Sequence, residues 1–144
     1  MKKTGTAFLA IAMLLGVTFL TSCSKDNDTN SEPSNSQQIT GTWKLSEVVD
    51  AYNMMGTPYS ETTEFTDGET MEFKTDGTVV AVVDGDTYTG NWTVTGNKVF
   101  ITGTGLVDFP AGYDIKLLTS ADFHLYYKVE DGTVTAERTL KMKK

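Results

Sequence analysis

The sequence predicts an all-β fold: a single eight-stranded antiparallel up-and-down β-barrel behind a polar leader. Three observations carry that expectation. From Ile39 onward, short segments alternate apolar and polar residues with the period of two of a half-buried strand. Between them, turn pairs recur at hairpin spacing: Asp76-Gly77, Asp84-Gly85, Gly96-Asn97 and Asp131-Gly132. After residue 22, no stretch carries an apolar stripe at the helical period. A meander of eight strands protects its edges by closing into a barrel or by folding over into a sandwich. Eight strands enclose an interior that is filled by side chains or holds one small ligand.

The leader reads as address and tether. Met1-Lys2-Lys3 is followed by an apolar run from Ala7 to Leu20 and then by Leu20-Thr21-Ser22-Cys23. A basic start, an apolar stretch and a small-residue end make residues 1–22 a signal peptide. At about 14 residues the run is short of the roughly 20 that a spanning helix needs. Leu-Thr-Ser-Cys resembles the lipobox of bacterial lipoproteins. That resemblance implies cleavage before Cys23, diacylglycerol on its thiol and acylation (palmitate-type chains) of the new amino terminus. Cys23 is the only cysteine, so no internal disulfide is available. Residues 23–38 contain Ser, Asn, Gln and Asp with no large apolar side chain before Ile39, the composition of a flexible linker. The run Ser24-Lys25-Asp26-Asn27-Asp28 resembles the surface-export signal of lipoproteins in certain Gram-negative bacteria. It implies display on the outer face of the outer membrane. The periplasmic leaflet remains the other option.

The third region, residues 39–144, is the folded domain. Its first strand is expected over Thr42–Val49, followed by a long polar connection from Asp50 to about Thr70 that contains Met54, Met55 and Tyr59. That connection is either a lid or a surface loop. Met71–Lys74 and the β-branched run Thr78–Val83 come next. In the following strand Tyr88, Gly90, Trp92 and Val94 share one face. Lys98–Thr102 returns, and the Gly-rich piece Gly103–Gly112, with Phe109, breaks the rhythm. Tyr113–Leu118 and Phe123–Val129 form another pair. In the last strand, Thr133–Met142, the residues Val134, Ala136, Arg138, Leu140 and Met142 share a face.

Together these residues resemble the lipocalin-like domain of bacterial lipoproteins. The carriers are Gly41-x-Trp43 at the first strand, Phe73-x-x-Asp76-Gly77-Thr78 at the second turn, Tyr88-x-Gly90-x-Trp92, and a basic residue in the last strand. The resemblance implies that Trp43 plugs the closed end and that Arg138 packs across its ring. The burial face of Arg138 agrees with this, because a guanidinium there needs a partner such as an indole. The chain is shorter than a typical lipocalin and has no C-terminal helix and no disulfide.

Few chemistries are open to this composition. With one histidine, His124, and one cysteine already assigned to lipidation, the usual nucleophile–base pairs and zinc sites cannot be assembled. No phosphate-binding Gly-rich motif is present. The net charge is −7 and becomes −9 without the signal peptide, which disfavours nucleic acid. Most carboxylates fall in turns, where turn formation explains them. No catalytic residue, metal or cofactor is therefore expected, and the protein is expected not to be an enzyme.

Phe73, Tyr88, Trp92, Tyr113, Phe123 and Tyr127 are expected on the buried side, where they form the core or line a ligand space. Met54, Met55 and Phe109 are the expected lid. Three functions follow: a barrel that holds a small apolar or amphipathic ligand, an accessory or inhibitor-like lipoprotein that engages a protein or glycan through its loops, or a carbohydrate platform using Tyr52 and Tyr126.

Overall fold

The computed structural model describes residues 34–105 and 107–144. The expected signal peptide, Cys23, the acidic run after it and most of the expected linker lie outside the described residues. A short helix, α1 (Asn35–Ile39), is followed by nine strands: β1 (Gly41–Met54), β2 (Thr57–Glu64), β3 (Thr70–Phe73), β4 (Thr78–Val83), β5 (Asp86–Thr95), β6 (Lys98–Thr102), β7 (Tyr113–Leu118), β8 (Asp122–Asp131) and β9 (Val134–Lys143).

All neighbours in the sheet are antiparallel, in the order β2-β1-β3-β4-β5-β6-β7-β8-β9, and β1 also pairs with β9. The β1–β9 ladder closes the sheet, giving an eight-stranded barrel with β2 as one extra strand. Closure removes the open edges that an eight-stranded meander would leave. The barrel option of the sequence reading is the observed one.

The turns explain why the strands stop where they do. Asp84 and Gly85 both take positive φ, 53° and 84°. That is the two-residue geometry whose twist matches the flanking strands. At the preceding turn the Asp76 Oδ1 accepts a hydrogen bond from Thr78 N at 2.8 Å. Gly90 has a different reason to be glycine. A Cβ there would lie 2.3 Å from the Thr102 carbonyl oxygen at the end of β6. In β5, Gly90 and Trp92 are buried while Thr89, Asn91 and Thr93 are exposed, the alternation read from the sequence.

The polar connection Asp50–Thr70 is the main departure from the sequence reading. It is neither lid nor loop but a hairpin. β1 runs on to Met54, a Met55-Gly56 turn reverses the chain, and β2 pairs with β1 from Met54↔Thr57 to Glu47↔Glu64. Threonine, tyrosine and serine in Thr57–Glu64 suit a strand, but without apolar alternation the period-two signal vanishes: every residue of β2 is exposed. A bulge between Leu45 and Glu47 lets β1 serve β3 with its first residues and β2 with its last. The second departure is α1. Residues expected to belong to the flexible linker form a helical turn, held by Ser34 and Gln37 and ending on the buried Ile39.

Candidate functional site

The two ends of the barrel are built differently. At the closed end, Trp43, Phe73, Phe123, Ile39, Met142 and Trp92 are all buried. Their rings interlock: Trp43 lies 5.3 Å from Phe123, Phe73 lies 5.2 Å from Trp92, and Phe73 lies 5.8 Å from Phe123. Both indole N–H groups are used, Trp43 Nε1 donating to the Ile39 carbonyl at 2.7 Å and Trp92 Nε1 to the Lys74 carbonyl at 2.9 Å. This end is packed and satisfied, as a stable core requires.

The expected pairing of Trp43 with Arg138 is not what forms. The cation over the Trp43 ring is Lys144, with its Nζ 4.3 Å from the ring centroid. Strand register is the reason. Lys44 pairs with Lys143, whereas Arg138 pairs with Asp50. Seven residues of strand separate Asp50 from Trp43, roughly 20 Å. Arg138 does face inward, as its alternation predicted, but at the other end of the barrel.

There it makes a two-point ion pair with Asp50, Nε to Oδ1 at 2.6 Å and Nη2 to Oδ2 at 2.8 Å. The carboxylate raises the Arg138 pKa further above its usual value. Parallel bonds from one guanidinium edge to one carboxylate fix both side chains. The pair sits in the wall of a cavity of about 210 Å³, with Leu45, Val48, Phe65, Met71, Val107 and Leu140 as its apolar lining. Tyr113 completes the wall. Its hydroxyl donates to the Val107 carbonyl at 2.7 Å, and burial pushes its pKa above the usual tyrosine value.

The loop joining β6 to β7 shapes this mouth. The barrel seam there is narrow: β6 and β7 pair only at Lys98↔Asp114 and Val99↔Tyr113. Asp108 holds the loop above the seam, accepting hydrogen bonds from Gly103 N at 2.8 Å, Thr104 N at 3.0 Å and Thr104 Oγ1 at 2.7 Å. Those donors, the Thr104 hydroxyl first, keep the Asp108 carboxyl below its ordinary pKa. Beyond it, Phe109 stacks on Tyr127 with centroids 4.2 Å apart and touches Tyr113 at 5.7 Å.

The expected ligand-lining aromatics therefore divide. Phe73, Trp92 and Phe123 belong to the closed-end core and none of them lines the cavity. Tyr113 does, with Tyr127 beside it, 5.4 Å away ring to ring. Tyr88 is half-buried against the core at the start of β5. Of the expected lid, Phe109 covers Tyr113 and Tyr127, whereas Met54 and Met55 stand exposed at the hairpin tip. Tyr52 and Tyr126 do not form one platform. Tyr52 neighbours Tyr59 on the hairpin, 6.4 Å between rings, and Tyr126 lies under the Lys116 ammonium at 4.1 Å.

Sequence reasoning missed Asp50, Phe65, Val107 and Asp108. Asp50 had a signal, since an acid on the inner face of β1 is the natural partner for an inward Arg138. A second depression of about 360 Å³ lies on the outer side of the hairpin, around Ala51, Pro58 and Thr135. Tyr52 and Tyr59 also border it, and it is more open to solvent than the mouth cavity, which is the better candidate site. Among the described residues, no group of three His, Cys, Asp or Glu is placed to hold a metal ion.

No curated protein and no solved structure matches the chain at a significant level. A family model does: the one described as lipocalin-like domain matches residues 39–134, two thirds of the 144-residue chain. A lipocalin-like barrel suggests small-ligand binding in general. With the closed barrel and the match over most of its strands, this chain belongs to the lipocalin-like domain family.

Proposed function

We propose that the barrel is a non-enzymatic binding module for a small apolar or amphipathic molecule, carried at the mouth and not in the closed end. The observation that supports this is the cavity itself: apolar walls around one fixed ion pair and a tyrosine. A few convergent polar groups in an apolar pocket are the usual make-up of a ligand site. At about 210 Å³ the space is below the roughly 300–1,000 Å³ that encloses a drug-sized ligand. It takes a small molecule whole, or the apolar part of a larger one whose polar head stays near Asp50 and Arg138.

The test is a fluorescence titration with N-phenyl-1-naphthylamine, a neutral apolar probe. Wild type is expected to bind it. Val48→Trp, which puts an indole into the cavity, is expected to weaken binding about tenfold or more with the fold intact. Equal binding by both proteins overturns the reading.

The same proposal places the domain outside the cytoplasm, tethered to the outer membrane by acylated Cys23 and displayed at the cell surface. The sequence Leu20-Thr21-Ser22-Cys23 and the acidic run after it support this. Diacylglycerol on the Cys23 thiol together with an acylated amino terminus supplies more than the two anchoring signals that stable attachment needs. Cys23→Ser is expected to move the protein from the membrane fraction to the soluble fraction. Unchanged pelleting contradicts the anchor.

A further inference from the structure

Of the six large apolar side chains exposed among the described residues, Met55 lies in the hairpin turn and Leu117 on β7, and the other four fall together. Met54, Tyr59, Val129 and Val134 are 60%, 58%, 42% and 38% exposed. Strand register puts all four on one face of the sheet formed by β2, β1, β9 and β8 beyond the barrel. Tyr59 stands opposite Tyr52, Val134 opposite Met54, and Val129 opposite Ala136, itself opposite Tyr52. Alternation makes this the face that carries Val48 and Asp50 lower on β1, so it continues the cavity wall outward. The reverse face of the same strands carries Asn53, Ser60, Lys128, Thr135 and Glu137, with the smaller Ala51 and Pro58 among them and none of the large exposed apolar side chains. A sheet solvated on both sides has no reason for such a difference, and a contiguous apolar face marks an interaction surface.

Charge narrows the occupant. Glu61 on β2 and Asp131 on β8 share the apolar face, opposite Asp50 and Val134 respectively. Neither forms an ion pair among the described residues. Arg138, the basic residue on this face, is held by Asp50. The apolar side chains thus cross all four strands in two adjacent rows, with the unpaired Glu61 two residues from Tyr59 on β2 and the unpaired Asp131 two residues from Val129 on β8, at opposite corners of the patch. The outer two of four strands stand about 14 Å apart, and a helix with its side chains is about 10–12 Å across. A second copy of this chain presents the same two carboxylates and, with Arg138 held by Asp50, brings no unpaired base to them through this face.

We propose that this face docks a cationic amphipathic helix of a partner protein. Its apolar stripe lies on Met54, Tyr59, Val129 and Val134, and its Lys or Arg borders reach Glu61 and Asp131. This is the groove-type recognition of an amphipathic helix, with charge selecting the partner.

The test uses the full chain and a helical Leu/Lys peptide of about 18 residues, with two controls: a Leu/Glu peptide of the same pattern, and a Leu/Lys peptide scrambled to lose its stripe. Binding is read by anisotropy of a labelled peptide. The amphipathic Leu/Lys peptide is expected to bind, and both controls about tenfold or more weaker. The pair Met54→Ser with Tyr59→Ser, and separately Glu61→Lys with Asp131→Lys, should each weaken binding about tenfold or more. Glu64→Lys with Glu130→Lys, on the reverse face, should leave it unchanged. N-phenyl-1-naphthylamine binding is expected to survive all three pairs, which separates this site from the cavity. All these positions are exposed, and the apolar and charge pairs test the surface independently if one fails to fold. Equal loss in the reverse-face pair, no binding of the Leu/Lys peptide, equal binding of the Leu/Glu peptide, or a wild-type dimer in analytical ultracentrifugation that the Met54/Tyr59 pair abolishes overturns the proposal.

Discussion

The closed end and the mouth of this barrel use the same strands for opposite purposes. At the closed end Trp43, Phe73, Trp92 and Phe123 interlock with both indole N–H groups satisfied. The helical turn that supplies Ile39 seals it from below. At the mouth, the same β1 and β9 carry a charged pair in place of rings, and the wall opens onto a cavity and then onto an exposed apolar face. One end holds most of the packing that keeps the barrel folded. The other gives up packing for space. In a barrel this small, stability and binding are separated by position along the strands, and substitutions should sort the same way.

Trp43→Ala should show the largest effect. It removes a buried indole, its bond to the Ile39 carbonyl and the seat of Lys144, at a cost of about 3–5 kcal/mol. An unchanged denaturation midpoint would remove Trp43 from the core and erase the distinction between the ends. Asp50→Asn should cost less, about 1–2 kcal/mol. Arg138 would be left half-buried without its carboxylate, but its side chain is 35% exposed and water screens it. The same substitution leaves the cavity with one uncompensated positive charge. Titrations should then favour an anionic apolar probe over a neutral one, a preference wild type lacks.

The smallest effect is local and depends on pH. Asp108 titrates below its ordinary 3.8 because its hydrogen-bonding partners favour the carboxylate. A depressed folded pKa means its hold on the loop is complete above that ordinary value and is lost as pH falls through the lowered one. Amide protection at Gly103 and Thr104 should fall in that acid range. It should be lower and insensitive to acid in Asp108→Ala. A loop equally protected at low pH in both proteins would show that Asp108 does not hold the mouth.

How much of this was legible beforehand depended on which physical signal each segment carries. Strands buried on one side announce themselves by alternation, so β4, β5 and β9 could be read directly, with the inward direction of Arg138. β2 is exposed throughout and has no alternation to show. Its hairpin could have been inferred only from Met55-Gly56 and the β-prone threonines beside it. α1 is a single turn, too short for a periodic stripe, and Ile39 was its one apolar clue. The cavity was the least legible feature. Alternation says which aromatics point inward, but not how far along the axis each one lies. Register sets that, and it sent Phe73, Trp92 and Phe123 to the closed end and Arg138 to the mouth. Asp50 and Asp108 matter through partners distant in sequence or through a loop fold, and neither leaves a local pattern.

The central claim is that the mouth holds a ligand while the closed end is filled. Native mass spectrometry of the protein purified from its own host, beside Val48→Trp, tests it most directly. The account predicts a reproducible small extra mass on wild type that departs on denaturation and is missing from Val48→Trp. A clean apo mass for both proteins, or an extra mass that persists in Val48→Trp, would contradict it.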